Sequence, residues 1–356
     1  MPQSAPSSSA FPLKPLLLIA AVVGTTAVAF AYTAGWLSPH RLTPDKFLTA
    51  LTAPKGPAPG HRRNHAKGIC FTGSFQANGQ GSELSTARVF TPGQYPVIGR
   101  FNLAGPNPTQ ADPMAPVRGV GIQIATPDGQ QWRSALIDAP FFAAPTPQAF
   151  YQFLTASGSK DPNAMKEYVG AHPEILNFIA WAKGHPRSES WAETRFNSLN
   201  SFLFTDASGA KHAVRWSYVP SAPIVNLTPE ELARRAPDFL ADDITQRVAT
   251  SPQHFDLVVT VANPGDPTAD PTKAWPADRR TVTVGTLTVQ QIVPEADGPC
   301  RDINYDPTVL PAGIATSDDP MPSARSAAYA RSYDKRTAEE KDYPRTASGS
   351  KTGAQQ

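Results

Sequence analysis

Residues 68–76 (GICFTGSFQ), 97–103 (VIGRFNL), 119–125 (GVGIQIA) and 131–137 (QWRSALI) decide the fold class. Each is a short run dominated by apolar, β-branched and aromatic side chains. Turn signals separate them, with Asn78-Gly79 after the first and Pro127-Asp128-Gly129 between the last two. Residues 86–90 (TARVF) read in the same way. Runs of this length, bounded by Gly, Pro, Asn and Asp, are strands joined by tight connections. Regularly spaced strands between residues 66 and 138 predict an antiparallel barrel or sandwich.

Downstream the period changes. Between residues 147 and 183 apolar positions fall at Phe150, Phe153 and Leu154, then at Ile175, Phe178, Ile179 and Ala182, the spacing of core-facing helices. Strands return at 201–204 and 213–218, with Asp206-Ala207-Ser208-Gly209 suited to a hairpin between them. Two apolar helices are expected between 228 and 249, and strands at 255–261 and 281–289. Upstream, Thr43 followed by Pro44 marks a helix start, and a Pro/Gly loop occupies 53–60. The mixture predicts an α+β domain, a closed antiparallel β-barrel with surrounding helices.

Composition limits the function classes. The chain has 356 residues, 40 % of them hydrophobic, enough for a sizeable core. With a formal charge of +2, 17 % charged residues and no basic stripe, nothing points to a nucleic-acid partner. The 38 prolines, about twice average usage, sit mainly in connections and argue against a helical bundle.

The N-terminus carries a separate signal. Lys14 precedes an almost uncharged run over residues 16–35, closed by Trp36, which is about one membrane span. Ala29-Phe30-Ala31 has the small-x-small form of a signal-peptidase site, so a cleaved signal and a retained anchor both remain open, the anchor being favoured. Lys14 ahead of the run, with no basic cluster just after it, orients the remaining chain to the extracytoplasmic side. The expected organisation is a cytoplasmic segment 1–15, a transmembrane or signal segment 16–36, a folded domain 42–335 and a charged, Gly/Ser-rich disordered tail 336–356. Cys70 and Cys300 are the only cysteines. They suit either one disulfide or a buried free pair, and no CxxC or CxxCH provides for zinc or covalent haem.

Candidate chemistry begins at Arg62-Arg63-Asn64-His65-Ala66-Lys67-Gly68, just ahead of the first strand. Taken alone, this is a basic surface turn. Other motifs line up behind it: Val97-Ile98-Gly99-Arg100-Phe101, Val117-Arg118-Gly119-Val120-Gly121, Asp138-Ala139-Pro140-Phe141-Phe142 followed by Pro147 and Phe150, and Arg325-Ser326-Ala327-Ala328-Tyr329. In order and approximate spacing these five resemble the haem catalases. Their distal-histidine motif is R-x-x-H-A-x-G, and their proximal motif is R-x-x-x-Y. In length, in the N-terminal span and in Cys300-Arg301-Asp302-Ile303-Asn304-Tyr305-Asp306-Pro307, the chain is most similar to the small catalase-related peroxidases.

The resemblance implies a barrel of about eight strands and a haem b cofactor. It assigns the iron's axial bond to Tyr329 as phenolate, with Arg325 one helical turn earlier to favour the charged oxygen. His65 would take a proton from the near oxygen of peroxide and return it to the far one. Arg62 and Arg100 would hold the haem propionates, and Phe150 would stack on the porphyrin. Two departures stand out. Asp138 replaces the distal asparagine of catalases, and Asn102 replaces the serine after R-F. An ionised Asp138 near His65 would raise the histidine's pKa and weaken it as a base, whereas a neutral one could donate a hydrogen bond to peroxide. The chain also lacks the long arm and C-terminal helices of full-size catalases. A shorter shell admits organic electron donors, so the implied activity is a peroxidase for hydrogen peroxide or small organic hydroperoxides, with weak catalase turnover. The competing expectations are an extracytoplasmic haem carrier or sensor and a lipid-hydroperoxide enzyme of the same fold.

Overall fold

In the computed structural model, residues 13–33, 38, 41–52 and 54–346 are described. The chain divides into two units, Met1–Thr43 and Pro44–Gln356.

The first unit is helix α1, Leu13–Thr33. Its 21 residues rise about 30 Å, the thickness of a bilayer's hydrocarbon layer. Leu16, Leu17, Leu18, Ile19, Val22, Val23, Val28 and Phe30 are all exposed. The hydroxyls of Thr26 and Thr33 donate back to the carbonyls of Val22 and Ala29, so these polar groups are satisfied without water. The helix is long and apolar enough to cross a membrane, and a signal sequence has the same properties. Trp36 and residues 1–12 lie outside the described residues.

The second unit is built on twelve strands: β1 (Gly68–Ala77), β2 (Gly93–Leu103), β3 (Arg118–Ala125), β4 (Gln131–Ile137), β5 (Arg187–Ser188), β6 (Phe196–Asn197), β7 (Phe202–Thr205), β8 (Lys211–Pro220), β9 (Asn226–Leu227), β10 (Gln253–Val261), β11 (Thr281–Val293) and β12 (Ile314–Thr316). Eight of them close a ring in the order β1-β2-β3-β4-β6-β8-β10-β11, every neighbour antiparallel, with β11 returning to β1. Closure leaves no open edge in the ring. β7 shares the β6-paired edge of β8 and carries β12, while β5 and β9 form a separate pair.

Alternation fills the barrel. Trp132, Ser134 and Leu136 of β4 are buried, and so are Phe255, Leu257 and Val259 of β10, each set at the two-residue period of a strand. Phe101 stacks on Trp191 with centroids 5.5 Å apart, and Trp132 meets Trp216 edge-on at 5.0 Å. Gly99 makes room for this packing, since a Cβ there would lie 1.9 Å from the ring of Phe71.

Around the barrel lie α2 (Pro44–Thr52), α3 (Pro147–Ser157), α4 (Ala164–Ala171), α5 (Ile175–Gly184), α6 (Pro229–Ala233), α7 (Phe239–Thr250) and α8 (Met321–Ala338). Thr146 caps α3 by accepting the Ala149 N–H, with Pro147 at the first position. α7 buries Phe239, Leu240, Ile244 and Val248 beside β11, and α2 packs against α8 and α3.

Two expectations need correction. Residues 86–90 are not a strand, because Val89 and Phe90 are buried consecutively and the segment turns as a short 3-10 helix over Arg88–Phe90. Its Arg88 and Thr91 carbonyls accept from the Tyr95 hydroxyl. The tail does not begin at 336. α8 continues to Ala338, buried Arg336 bonds the carbonyls of Arg301 and Ile303, and Tyr343 packs on His61 with centroids 4.0 Å apart. Residues 347–356 lie outside the described residues.

Candidate active site

His65 occupies the turn just before β1 in a backbone conformation rare for any residue with a Cβ. Its φ is +55°, and among the described residues no other non-glycine has a positive φ. The neighbourhood holds it there. The Asn64 side-chain oxygen accepts from both the His65 and Gly105 N–H groups, and the His65 carbonyl accepts from Arg100 Nη1 at 2.8 Å. Strain of this kind persists only where the surroundings over-determine it, and it collects at functional sites.

The imidazole is fixed as firmly. Nδ1 lies 2.6 Å from Asn102 Oδ1. The Asn102 amide nitrogen donates to the Arg100 carbonyl, which turns its oxygen toward the histidine. His65 therefore carries its proton on Nδ1 and keeps a lone pair on Nε2. Asn102 fits because it faces Gly119 across β2 and β3, where a Cβ would sit 2.4 Å from the amide oxygen. Burial pushes the His65 pKa down to about 4; the Asn102 bond opposes this, and the nearby charges of Arg100, Arg325 and Arg62 add to it. At neutral pH the ring is an uncharged base.

His65 lines a cavity of about 450 Å³, within the range of cofactor pockets. The wall is chiefly apolar. Phe47, Leu48 and Leu51 come from α2, Phe150, Phe153 and Leu154 from α3, and Phe178 from α5. Phe150 packs between Phe142, at 4.7 Å, and Phe47, at 5.7 Å. One face of α8 completes the wall through Met321, Arg325, Ala328, Tyr329, Ser332 and Arg336, a three-and-four spacing that brings all of them to one side of the helix. Arg325 Nη2 donates to the Tyr329 hydroxyl at 3.1 Å, while Nη1 bonds Asn200 Oδ1 at 2.6 Å and holds the guanidinium in place.

Four further arginines line the wall, Arg62, Arg63, Arg100 and Arg336; the Arg63 guanidinium is paired with Glu339 at 2.6 Å. Rather than forming an exposed basic turn, Arg62 and Arg100 converge on buried Glu295. Arg100 grips it in bidentate fashion, Nε and Nη2 each at 2.7 Å, and Arg62 Nη1 bonds the same Oε1. Arg62 Nη2 also reaches the Cys300 and Ile303 carbonyls at 3.0 and 2.9 Å. Cys300 is disulfide-bonded to Cys70, Cα atoms 5.4 Å apart, and Cys70 pairs with Arg100 across β1 and β2. The bridge thus ties the loop carrying Glu295 to the strand beside the arginines.

Of the site residues expected from sequence, Arg62, His65, Arg100, Phe150, Arg325 and Tyr329 come together on this cavity. Asp138 does not line it. Its carboxylate turns back to accept the Arg118 N–H at 3.1 Å, and burial raises its pKa to about 6. The His65 pKa moves opposite to the upward push expected of an ionised Asp138, because burial and the charges of Arg100, Arg325 and Arg62 dominate. Sequence reasoning passed over Arg336 and Glu295 and treated Asn102 only as a departure. Arg336 had a legible signal, since it stands two helical turns after Tyr329. Glu295 had none, as its partners lie 195 and 233 residues away.

These residues fit a haem. A single phenol oxygen suits a metal that brings its other ligands in a macrocycle, and among the described residues no three His, Cys, Asp or Glu side chains gather to hold a bare ion. Apolar walls suit the ring, and a cluster of guanidiniums at the wall suits its carboxylates.

The sequence model of the catalase family matches residues 58–343. A catalase-related peroxidase of Synechococcus elongatus is 35 % identical over 90 % of this chain and 95 % of its own. One from Mycolicibacterium paratuberculosis is 32 % identical over 83 % and 95 %. Among solved structures, catalase A of Saccharomyces cerevisiae superposes with a TM-score of 0.69 at 18 % identity, over 78 % of this chain and 61 % of the yeast chain. A bacterial catalase gives 0.67 at 20 %, over 84 % and 64 %. At these identities the structural likeness concerns the fold.

Proposed function

Because the chain belongs to the catalase family and is a peroxidase that uses haem iron, we propose that it reduces hydrogen peroxide or small organic hydroperoxides with electrons from organic donors. The observation that carries this reading is one cavity bearing both a neutral, tautomer-fixed His65 and a Tyr329 hydroxyl bonded by Arg325. Haem b, held by these residues, would supply a redox-active iron through which donor electrons could reach the peroxide.

The chain's own residues supply the rest. Tyr329 is the proposed axial donor, and the Arg325 N–H bonded to its oxygen holds that oxygen in place. His65 Nε2 accepts the proton of the bound peroxide and returns it to the departing oxygen, so that water leaves in place of hydroxide. Asn102 keeps Nδ1 protonated and Nε2 free throughout. Arg62, Arg100 and Arg336 are proposed to meet the haem carboxylates, and Phe150 to pack on the ring. Asp138 is assigned the support of Arg118 on the neighbouring strand, outside the proton transfer. With no second polar group from that position in the cavity wall, catalase turnover is expected to be weak.

The apolar wall formed by Phe47, Leu51, Phe153, Leu154 and Phe178 favours a second reading in which the peroxide is itself a bulky, lipid-like hydroperoxide. A neutral base at His65 argues against a haem carrier without catalysis. For location we propose an extracytoplasmic domain held at the membrane by α1. The Cys70–Cys300 disulfide supports this, because such bonds persist in oxidising compartments.

The test uses the full chain in detergent, loaded with haem, as wild type, His65→Ala and Tyr329→Phe. Ferric bands of the phenolate type that vanish in Tyr329→Phe, together with a peroxide reaction slowed at least about a hundredfold in His65→Ala, are expected. Failure to take up haem would refute the reading. Faster reaction with a fatty-acid hydroperoxide than with hydrogen peroxide would select the second substrate.

A further inference from the structure

We infer that Glu295 is a positioning residue for the haem carboxylates, aligning the Arg62 and Arg100 guanidiniums so that their remaining N–H groups converge on the cavity. The inference rests on the haem reading above. Arg62, Arg100 and Arg336 lie at one wall, and like charges brought together out of water repel one another. Glu295 is the carboxylate set among them, with its side chain 7 % exposed. It accepts Arg100 through both oxygens and Arg62 through one, which fixes the plane of the Arg100 fork and the reach of Arg62.

With Arg63 neutralised by Glu339 and Arg325 turned to Tyr329 and Asn200, Arg62, Arg100 and Arg336 together with Glu295 leave a net charge of two, which equals that of the two carboxylates of the cofactor. The acid remains ionised despite its burial, because Arg100 and Arg62 hold its pKa below the ordinary carboxylate value. The loop that delivers it follows directly on β11 and is anchored five residues later by the Cys70–Cys300 bridge, so the carboxylate sits on a fixed arm. Such an arrangement is prealigned for a doubly charged ligand, which then binds without first paying to order two long side chains.

The test needs neither iron nor turnover. Metal-free protoporphyrin and its dimethyl ester share the ring and differ only in the carboxylates, and fluorescence titration of the full chain in detergent gives an affinity for each. Wild type is expected to prefer the free diacid. Glu295→Gln should reduce that preference about tenfold, with little change in ester binding. A brace with only a structural role would weaken both porphyrins alike, and that result, or an unchanged or increased preference, overturns the inference. Should Glu295→Gln fail to fold, Glu295→Asp keeps the charge on a shorter arm. A preference reduced about threefold there supports the inference, and an unchanged one overturns it. Wild type that binds neither porphyrin overturns the haem reading and this inference with it, whereas wild type that binds both equally overturns only the pairing of carboxylates with arginines.

Discussion

Acidifying the haem-loaded protein while timing its reaction with hydrogen peroxide tests His65 as the base. A histidine that titrated at the ordinary 6.5 would be only about a tenth neutral at pH near 5.5, and the reaction would already have slowed about tenfold. With burial and the charges of Arg100, Arg325 and Arg62 holding its pKa down to about 4, His65 is almost wholly neutral at that pH, so the rate should be flat across it and fall only near pH 4. Asn102→Ala removes the 2.6 Å bond that opposes the downward shift and fixes the tautomer. The loss of one buried hydrogen bond, about 1–2 kcal/mol, should slow the reaction about 5- to 30-fold at neutral pH and move the acid limb lower still. Stopped-flow traces at several peroxide concentrations give the second-order rate constant at each pH. An acid limb centred between 6 and 7 in wild type, or one that does not move in Asn102→Ala, would refute the reasoning.

Asp138→Asn should leave the peroxide rate within about twofold, because the carboxylate faces Arg118 and not the cavity. In stability the sign is definite. A carboxyl whose folded pKa is raised to about 6 contributes stability that is fully present below 3.8 and lost as pH rises through 6, so the asparagine variant should gain over wild type by about 1–3 kcal/mol above pH 6 in denaturant melts. Joint replacement of Cys70 and Cys300 by alanine opens a link across a sequence separation of 230 residues and should cost up to about 5 kcal/mol, measured by urea unfolding of oxidised wild type against the variant. Gly99→Ala forces a Cβ to within 1.9 Å of the Phe71 ring and should lower stability by about 3 kcal/mol, visible as reduced Tm with an unchanged haem spectrum in the surviving folded fraction.

Much of this architecture can be read along the chain because its causes are local. The two-residue alternation of Trp132, Ser134 and Leu136 is a property of one strand, and the Arg325–Tyr329 pair is a property of one helical turn. The segment at 86–90 misleads for a local reason as well, since it has strand-like composition but buries neighbouring residues Val89 and Phe90 together. What the sequence could not display is the identity of partners brought in from far away. Glu295 reaches Arg62 and Arg100 only once the barrel has closed. Asp138 occupies a motif position matched to a catalytic group, yet its orientation depends on Arg118 of the adjacent strand. The disulfide was an open choice until β1 and the loop after β11 were placed side by side.

The left-handed backbone at His65 makes the proposed catalytic residue a local liability as well as a tool. A side chain held at φ +55° opposes folding by about 1 kcal/mol or more, a penalty that glycine would escape and asparagine would tolerate better than alanine. Selection for thermal endurance alone would therefore drift away from histidine here, and variants recovered from such a screen should include His65→Gly or His65→Asn proteins that melt later and no longer react with peroxide. His65→Asn is accordingly a fairer inactive control than His65→Ala, because it removes the imidazole while leaving the turn at ease.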